Sequence, residues 1–514
     1  MEPHQSGSVC SSLNNIVVSL GFDAPEKNIP VNGMTLDSRE VKDGFLFVAI
    51  KGAHSDGRKY IDQAIAAGAS AVLAEGDENE NKHPVYFVRG LRLRLGEIAA
   101  RFYGMPANEM EIIGITGTNG KTTCAQLIKQ MFDGLGERAA TIGTMGYGAD
   151  LSRLVSTGLT TPDAISCQKI LKKFLQQNIS KVSMEVSSHA LAQGRCEGLR
   201  FAGALFTNLS QDHLDYHADM AEYAKTKARL FSAADRKFAV INADDQCGRE
   251  VILPAVPAEV SCILYGIDKL KVKSVLPENA RFVIAKNIEY EANGFTMDIY
   301  SSWGEAKAKC ALLGPFNVHN VLATVSVLCA SGFSLVQVAA HVKNLKPIAG
   351  RMQLLSVAGA DITVCVDYAH TPDALEKAIT ATKIHTQGNL ITVFGCGGDR
   401  DSSKRLQMGL TAESLSDRIV VTSDNPRTED PSSIINDVLA GLKGSVEVRV
   451  DRAEAIDFAI ANAEPHDCVL IAGKGHEDYQ IIGDRKLPFS DVLVAQQCLM
   501  ARTSRRAGGA YDAV

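Results

Sequence analysis

The chain has 514 residues, more than one hydrophobic core usually serves, so about three domains are expected. A hydrophobic fraction of 46% and a charged fraction of 22% are those of a globular protein and exclude a disordered or fibrous chain. The net charge of −6 provides neither a basic stripe nor a polybasic patch, which excludes nucleic acid as a partner and leaves anionic ligands to local devices.

From the N-terminus, residues Met1 to Phe22 carry no cationic leader, and the apolar run Ile16 to Leu20 is too short for a signal peptide or a membrane span. A cytoplasmic protein without membrane insertion is expected. The 12 cysteines fit this, since none is spaced C-x-x-C or clustered with histidine at zinc-finger intervals, and free thiols are expected.

The first block, residues 1–106, contains the strand-like runs Phe45 to Ile50, Ser70 to Leu73 and Val85 to Val88, with a helical stretch at Tyr60 to Ala67. Pro106-Ala107-Asn108 marks its end. The second block, 107–346, opens with the β-rich run Ile112 to Thr116, which feeds a glycine loop and then a helix with Leu127, Ile128, Met131 and Phe132 on one face. Val182 to Val186, Ala204 to Thr207 and Phe238 to Ile241 are further strands separated by helical patterns. That alternation predicts an α/β block with a mainly parallel sheet and helices on both faces. Asn293-Gly294, between alternating residues, predicts an antiparallel hairpin within the block. The third block, 347–514, carries strands at Ile362 to Val366, Leu390 to Phe394, Ile419 to Val421 and Val469 to Ala472. Each is followed by a polar or glycine-rich segment. Ligands of open α/β sheets bind beyond the carboxyl ends of strands, so four such segments predict one shared site in a Rossmann-like domain.

The loop Gly117-Thr118-Asn119-Gly120-Lys121-Thr122-Thr123 carries the sharpest chemical signal. A strand, a turn of small residues and a helix start present backbone N–H groups to phosphate. Lys121 can neutralise the terminal phosphates and Thr122 can coordinate Mg²⁺. The spacing departs from the strict phosphate-loop pattern, because Ile occupies position 115. Glu185 ends a buried strand, where a lone carboxylate is costly; it is either a second Mg²⁺ ligand or a structural residue held by donors. His213, in the polar run Thr207 to His217, can bind a metal or orient an anion. In the third block Arg400 and Arg427 suit two-pronged carboxylate binding, while Asp424 and Glu477 suit an ammonium group. Together they fit a zwitterionic amino acid with an additional carboxylate; an inter-strand salt-bridge network is the alternative.

In order along the chain, Met34-Thr35-Leu36-Asp37-Ser38-Arg39, Gly117 to Thr123, Thr160-Thr161-Pro162, Met184 to His189 and Asn208 with Asp212 to His217 are similar to motifs of the Mur ligases of bacterial cell-wall synthesis. So are Gly314-Pro315-Phe316-Asn317, Gly350-Arg351-Met352, Asp367 to Pro372, Asp424 to Arg427 and Gly473 to Gln480, so the resemblance extends over nearly the whole length. The resemblance implies a smaller N-terminal α/β domain for the UDP end of the substrate, a central ATP-binding domain and a C-terminal amino-acid domain. It implies ATP-dependent addition of meso-diaminopimelate to UDP-N-acetylmuramoyl-L-alanyl-D-glutamate, in a monomer, through an acyl phosphate, with closure of the last domain onto the central one.

The residues follow motif by motif. Leu36 and Ser38, with the Ala53-His54-Ser55 loop, are implied at the UDP-sugar, and Thr160, Thr161, Ser187, Gln193 and Arg195 at the muramoyl peptide. Asn317 and Arg351 join Gly117 to Thr123 at the nucleotide. Arg400, Asp424-Asn425-Pro426-Arg427, Gly473 and Glu477 are implied at diaminopimelate, with Arg427 pairing the distal carboxylate that lysine lacks. Lys227 falls at the family's carbamylated lysine, where a CO₂-derived carbamate would join Thr122, Glu185 and His213 as a Mg²⁺ ligand; Lys121, His213 and Lys227 are the implied catalytic groups. The related folylpolyglutamate synthases share the loop, but the motifs at 34–39 and 424–427 argue against that reading. A nucleotide switch that hydrolyses ATP without transferring an acyl group is the rival from another class.

Overall fold

The computed structural model of the chain describes residues 11–19, 21, 29–52, 55–77, 84–213, 216–291, 293–444 and 446–509. Two compact units emerge: Met1–Val283 with Ser326–Gly332, and Ile284–Val325 with Phe333–Val514.

The first unit holds two sheets. The smaller is a parallel set in the order Gly33–Thr35, Phe45–Ala49, Ala69–Glu75, Val85–Val88. Its second strand shows why it forms. Leu46 and Val48 pack with Leu91, Leu95 and Ile98 of the helix Leu91–Phe102, while Phe47 and Ala49 pack on the other face with Ala64 of the helix Ile61–Ala66. A strand covered on both faces has no polar side to show, so its sequence is an unbroken apolar run. The expected helix at Tyr60 to Ala67 begins at Ile61, because a short 3₁₀ turn occupies Gly57–Tyr60.

The larger sheet of this unit runs Ser261–Gly266, Phe238–Asn242, Gly203–Phe206, Glu111–Thr116, Lys181–Glu185, Ala139–Gly143, Gly146–Gly148. All pairs are parallel except the last. The predicted strands fall in place within a residue or so at each end. Ser261–Gly266 and Ala139–Gly143 are not among the predicted strands; the small residues of the latter, Ala-Ala-Thr-Ile-Gly, lack a branched apolar run.

The second unit is built on a six-stranded sheet in the order Gln353–Leu355, Thr363–Asp367, Cys468–Ala472, Leu390–Phe394, Arg418–Val421, Glu447–Val448, parallel apart from its first strand. Helices Pro372–His385, Ser403–Leu415 and Pro431–Leu439 cover one face through Leu375, Ile379, Met408 and Val438. Arg452–Ala461 and Asp491–Gly509 cover the other through Ile456, Ile460 and Leu499. The strand Leu390–Phe394 again divides its side chains, Leu390 and Phe394 to the first layer, Ile391 and Val393 to the second. The expected turn at Asn293-Gly294 lies between two neighbouring strands, Arg281–Glu291 and Gly294–Ser301, and Gly294–Ser301 pairs antiparallel with Gly304–Cys310 on its other side.

The cysteines among the described residues carry free thiols. No helix among these residues is long and apolar enough to cross a membrane.

Candidate active site

Glu111–Thr116 is the pivot of the larger sheet, paired with Gly203–Phe206 on one side and Lys181–Glu185 on the other. Chain order reverses about it, which opens a crevice beyond its carboxyl end. Gly117 to Gly120 occupy that position, directly before the helix Lys121–Gly134. Gly117 has φ +149°, and a Cβ there would collide with Thr207 Oγ1, so a side chain is excluded.

The next strand exit braces the loop. Thr118 N–H donates to Asn208 O at 2.8 Å, Asn119 N–H to Asn208 Oδ1 at 3.0 Å, and Thr207 Oγ1 to Asn119 O at 2.6 Å. Ser210 N–H donates to Thr118 Oγ1 at 3.0 Å, and Tyr223 OH lies 3.3 Å from the same hydroxyl. Lys121 Nζ folds back onto the carbonyls of Gly117 (2.9 Å) and Thr118 (2.8 Å).

Lys227 is 1% exposed, and its Nζ donates to the same Gly117 carbonyl at 2.9 Å, 4.2 Å above the Tyr223 ring. Burial first, and then repulsion from Lys121, holds its pKa well below that of an ordinary lysine. Glu185, equally buried, is fully engaged: Thr122 Oγ1 donates to Oε2 at 3.0 Å, Thr144 Oγ1 to the same oxygen at 3.1 Å, and Thr144 N–H to Oε1 at 2.9 Å. Its backbone carbonyl accepts from Thr161 Oγ1 at 2.9 Å. Thr144 was missed in the sequence, where nothing in its spacing ties it to Glu185. His213 sits at a left-handed φ of +55°, half-exposed, with Nε2 3.4 Å from Asp212 and its ring edge-on to His189 at 4.9 Å.

Beside Glu185 the implied peptide contacts assemble. Thr160 Oγ1 lies 3.1 Å from Thr144 Oγ1, and Thr161 Oγ1 accepts from Ser187 N–H at 3.0 Å. Arg195 donates to the Thr161 carbonyl at 3.0 Å and to Gln193 Oε1 at 2.9 Å. In the small sheet, Leu36 is partly buried against the core, Ser38 Oγ lies 3.4 Å from Gln63 Oε1, and Ser55 is exposed. Ala53 and His54 lie outside the described residues.

In the second unit the polar segments after the four strands do meet. Gly473 N–H donates to Asp367 O at 3.1 Å, and Gly398 N–H to Asn425 O at 3.0 Å. Arg427, at φ +53°, donates from Nη1 to the Gly398 carbonyl at 2.7 Å. Asp399 ties the two arginine-bearing loops together, accepting from Thr428 Oγ1 at 2.7 Å. Pro426 N-terminal to Arg427 closes the turn, its carbonyl accepting from Glu429 N–H at 3.1 Å. Arg400 is exposed, and its positive charge, after the hydrogen bonds from Thr428 and the pull of Arg427, helps hold the Asp399 carboxyl below the usual range. Gly473, at φ +122°, faces Asp424 Oδ2 so closely that a Cβ would be 2.6 Å from it.

Asp424 is buried, and desolvation raises its pKa against the lowering pull of Arg452 and Lys474. Lys474 is the residue that sequence reasoning passed over. Its Nζ lies 3.0 Å from both Asn425 Oδ1 and Glu477 Oε2 and 3.7 Å from Asp424 Oδ1. Arg351 stacks 4.6 Å from the Tyr368 ring centroid, and Asn317 is buried, Nδ2 donating to Leu313 O at 2.7 Å.

The sequence patterns of three domains match in series: "Mur ligase family, catalytic domain" at 30–103, "Mur ligase middle domain" at 115–328 and "Mur ligase, glutamate ligase domain" at 350–475. A Coxiella burnetii (strain RSA 493 / Nine Mile phase I) protein named UDP-N-acetylmuramoyl-L-alanyl-D-glutamate--2,6-diaminopimelate ligase is 44% identical over 497 residues, 95% of this chain and 100% of that protein. The chain belongs to the Mur ligase family. It has the three-domain α/β fold of Mur ligases, with a central, mainly parallel sheet. A solved UDP-N-acetylmuramoyl-L-alanyl-D-glutamate--2,6-diaminopimelate ligase is 35% identical, with a TM-score of 0.72 over 96% of this chain and 99% of that one. The Acinetobacter baumannii UDP-N-acetylmuramoylalanyl-D-glutamyl-2,6-diaminopimelate--D-alanyl-D-alanyl ligase shares the fold at 16% identity, with a TM-score of 0.62 over 97% and 100% of the two chains.

Proposed function

We propose that this Mur ligase adds meso-diaminopimelate to UDP-N-acetylmuramoyl-L-alanyl-D-glutamate at the expense of ATP, as a monomer in the cytoplasm. The domain limits proposed are 1–106 for the UDP-sugar, 107–346 for ATP and 347–514 for the amino acid. The observation that carries the reading is the Asp424-to-Arg427 turn, with Arg427 and the exposed Arg400 on loops joined through Asp399 and Thr428. Two guanidinium groups suit an amine substrate that brings carboxylates of its own.

The D-glutamyl side-chain carboxylate attacks the ATP γ-phosphorus, forming an acyl phosphate and releasing ADP. The diaminopimelate amine then attacks the acyl carbon, and the tetrahedral adduct loses phosphate and a proton to leave the amide. Gly117 to Thr123 cradle the phosphates through backbone N–H groups, and Lys121, already aimed at the loop, offsets their charge. Thr160, Thr161, Ser187, Gln193 and Arg195 orient the muramoyl peptide, Leu36, Ser38 and the 53–55 loop the UDP end, and Asn317 and Arg351 the nucleotide.

The donor set suits Mg²⁺, a hard cation that takes oxygen ligands: Thr122 and Glu185 offer oxygens 3.0 Å apart at the end of the loop. Lys227 can supply a further anionic oxygen. Its depressed pKa favours the free amine, the form that adds CO₂ to give a carbamate. Bound there, with His213 as a further ligand, Mg²⁺ would offset the charge of two anions brought together.

Phosphate release measured with each substrate omitted in turn tests the reading. Release is expected only with ATP, the UDP-muramoyl dipeptide and diaminopimelate together. ATP turnover indifferent to both other substrates would instead favour the nucleotide switch.

A further inference from the structure

Glu477 is one of two carboxylates available to the ammonium of the incoming amino acid, yet the structure already surrounds it with donors. Lys474 Nζ and Asn425 Nδ2 both donate to Oε2, at 3.0 and 2.9 Å. Oε1 has no partner among the described residues. One oxygen is therefore pinned and the other is left to a ligand.

Lys474 itself is fully buried, at 0% side-chain exposure. An ammonium in that position is tolerated only when its hydrogens are matched. They are, by Asn425 Oδ1 at 3.0 Å, Glu477 Oε2 at 3.0 Å and Asp424 at 3.7 Å, with the Tyr479 ring centroid 5.6 Å away. Asn425 is held at both ends of its amide: Oδ1 accepts from Lys474 and from Ile481 N–H at 3.0 Å, and Nδ2 is given to Glu477. Lys474 thus touches three of the side chains assigned to diaminopimelate and is the common donor that sets their orientation.

We infer that Lys474 is a positioning residue for the amine substrate. Its ammonium locks Glu477 and Asn425 so that Glu477 Oε1 is aimed at the substrate ammonium. The carboxylates of the substrate are read elsewhere, by Arg427 and Arg400, so Lys474 governs affinity for the amino acid and leaves ATP and nucleotide binding untouched. This rests on the proposed ligase reading, and the two fail differently. Wild-type protein that shows no diaminopimelate-dependent turnover would sink that reading before Lys474 is tested.

The experiment compares steady-state kinetics of K474Q, E477Q and the double variant with wild type. For K474Q the KM for diaminopimelate is expected to rise roughly 10–100-fold, the scale of losing one or two charged hydrogen bonds, with the KM values for ATP and the UDP-muramoyl dipeptide within about twofold of wild type. In the E477Q background the same change should have little further effect, because the two residues act as one unit. An unchanged KM for diaminopimelate, a parallel rise in all three KM values, or fully additive effects would each overturn the inference. Should K474Q not fold, wild-type protein labelled with ¹⁵N-lysine decides. A slowly exchanging Nζ resonance that shifts with diaminopimelate but not with ATP supports the role, and the lack of any such response overturns it.

Discussion

The Thr122 hydroxyl and the Glu185 carboxylate meet at 3.0 Å across the ends of two adjacent parallel strands, Glu111–Thr116 and Lys181–Glu185. Both side chains are buried, and Thr144 supplies Glu185 with two further hydrogen bonds. Replacing Glu185 by Gln keeps the volume and removes the charge. A fall in kcat of roughly 100-fold or more is expected, with folding retained, since a charge-stabilising group at the phosphate site is lost. Single-turnover kinetics over a Mg²⁺ titration would show it; a variant as active as wild type at all Mg²⁺ concentrations would remove Glu185 from the site.

Lys227 and Lys121 share the carbonyl of Gly117 as hydrogen-bond acceptor. If the Lys227 amine takes up CO₂, protein kept in CO₂-free buffer should lose activity and regain it with bicarbonate. K227R, whose guanidinium forms no carbamate, should stay inactive in both. A ¹³C carbamate resonance after ¹³C-bicarbonate exchange, absent in K227R, checks the chemistry directly.

Arg427 donates to Gly398 O, which sets its guanidinium against the loop that carries Arg400. Wild-type protein should use meso-diaminopimelate and scarcely use L-lysine, which has no distal carboxylate. R427A is expected to lower kcat/KM for diaminopimelate by roughly 10–100-fold, the equivalent of about 1.5–3 kcal/mol for a charged hydrogen bond. It should leave the rate with lysine little changed. Competition between the two amines is the measurement; equal use of both by wild-type protein would mean that Arg427 reads something else.

Arg452 and Asp491 form a pair with neither side chain exposed, joined by two bonds of 2.7 Å. Arg452 also donates to the carbonyls of Ala472 and Ser423, at the ends of two strands of the second sheet. Asp491→Ala leaves a buried charge without its anion, at a cost of about 3–5 kcal/mol. Urea unfolding should report it as a lower midpoint for the second unit.

His385 accepts the Gly314 N–H at Nε2 (2.9 Å), which assigns the proton to Nδ1, 2.5 Å from the Glu291 carbonyl. Burial pushes its pKa below the ordinary 6.5, so the unfolded chain binds a proton more readily than the folded one. The stability contributed by neutral His385 is complete above pH 6.5 and is lost as the pH falls through the lower, folded value. Thermal unfolding between pH 7.5 and 5 should show a decline that is shallower in H385Q.

Much of this molecule is legible in one dimension. Strands buried on both faces need unbroken apolar runs, so Phe45–Ala49, Glu111–Thr116 and Leu390–Phe394 announce themselves, and a glycine loop between strand and helix announces phosphate. The ordered motifs from Met34 to Gln480 are enough to indicate the family, because each is local and dense in unusual residue types. Partnership is a different matter. Thr144 lies 41 residues before Glu185 and Lys227 lies 110 after Gly117, and only the strand order of the parallel sheet makes them neighbours. Lys474 looked like any lysine. Its burial and its hold on Glu477 come from folding, which places the segments after separate strands around one ammonium, and the local sequence carries no term for that distance.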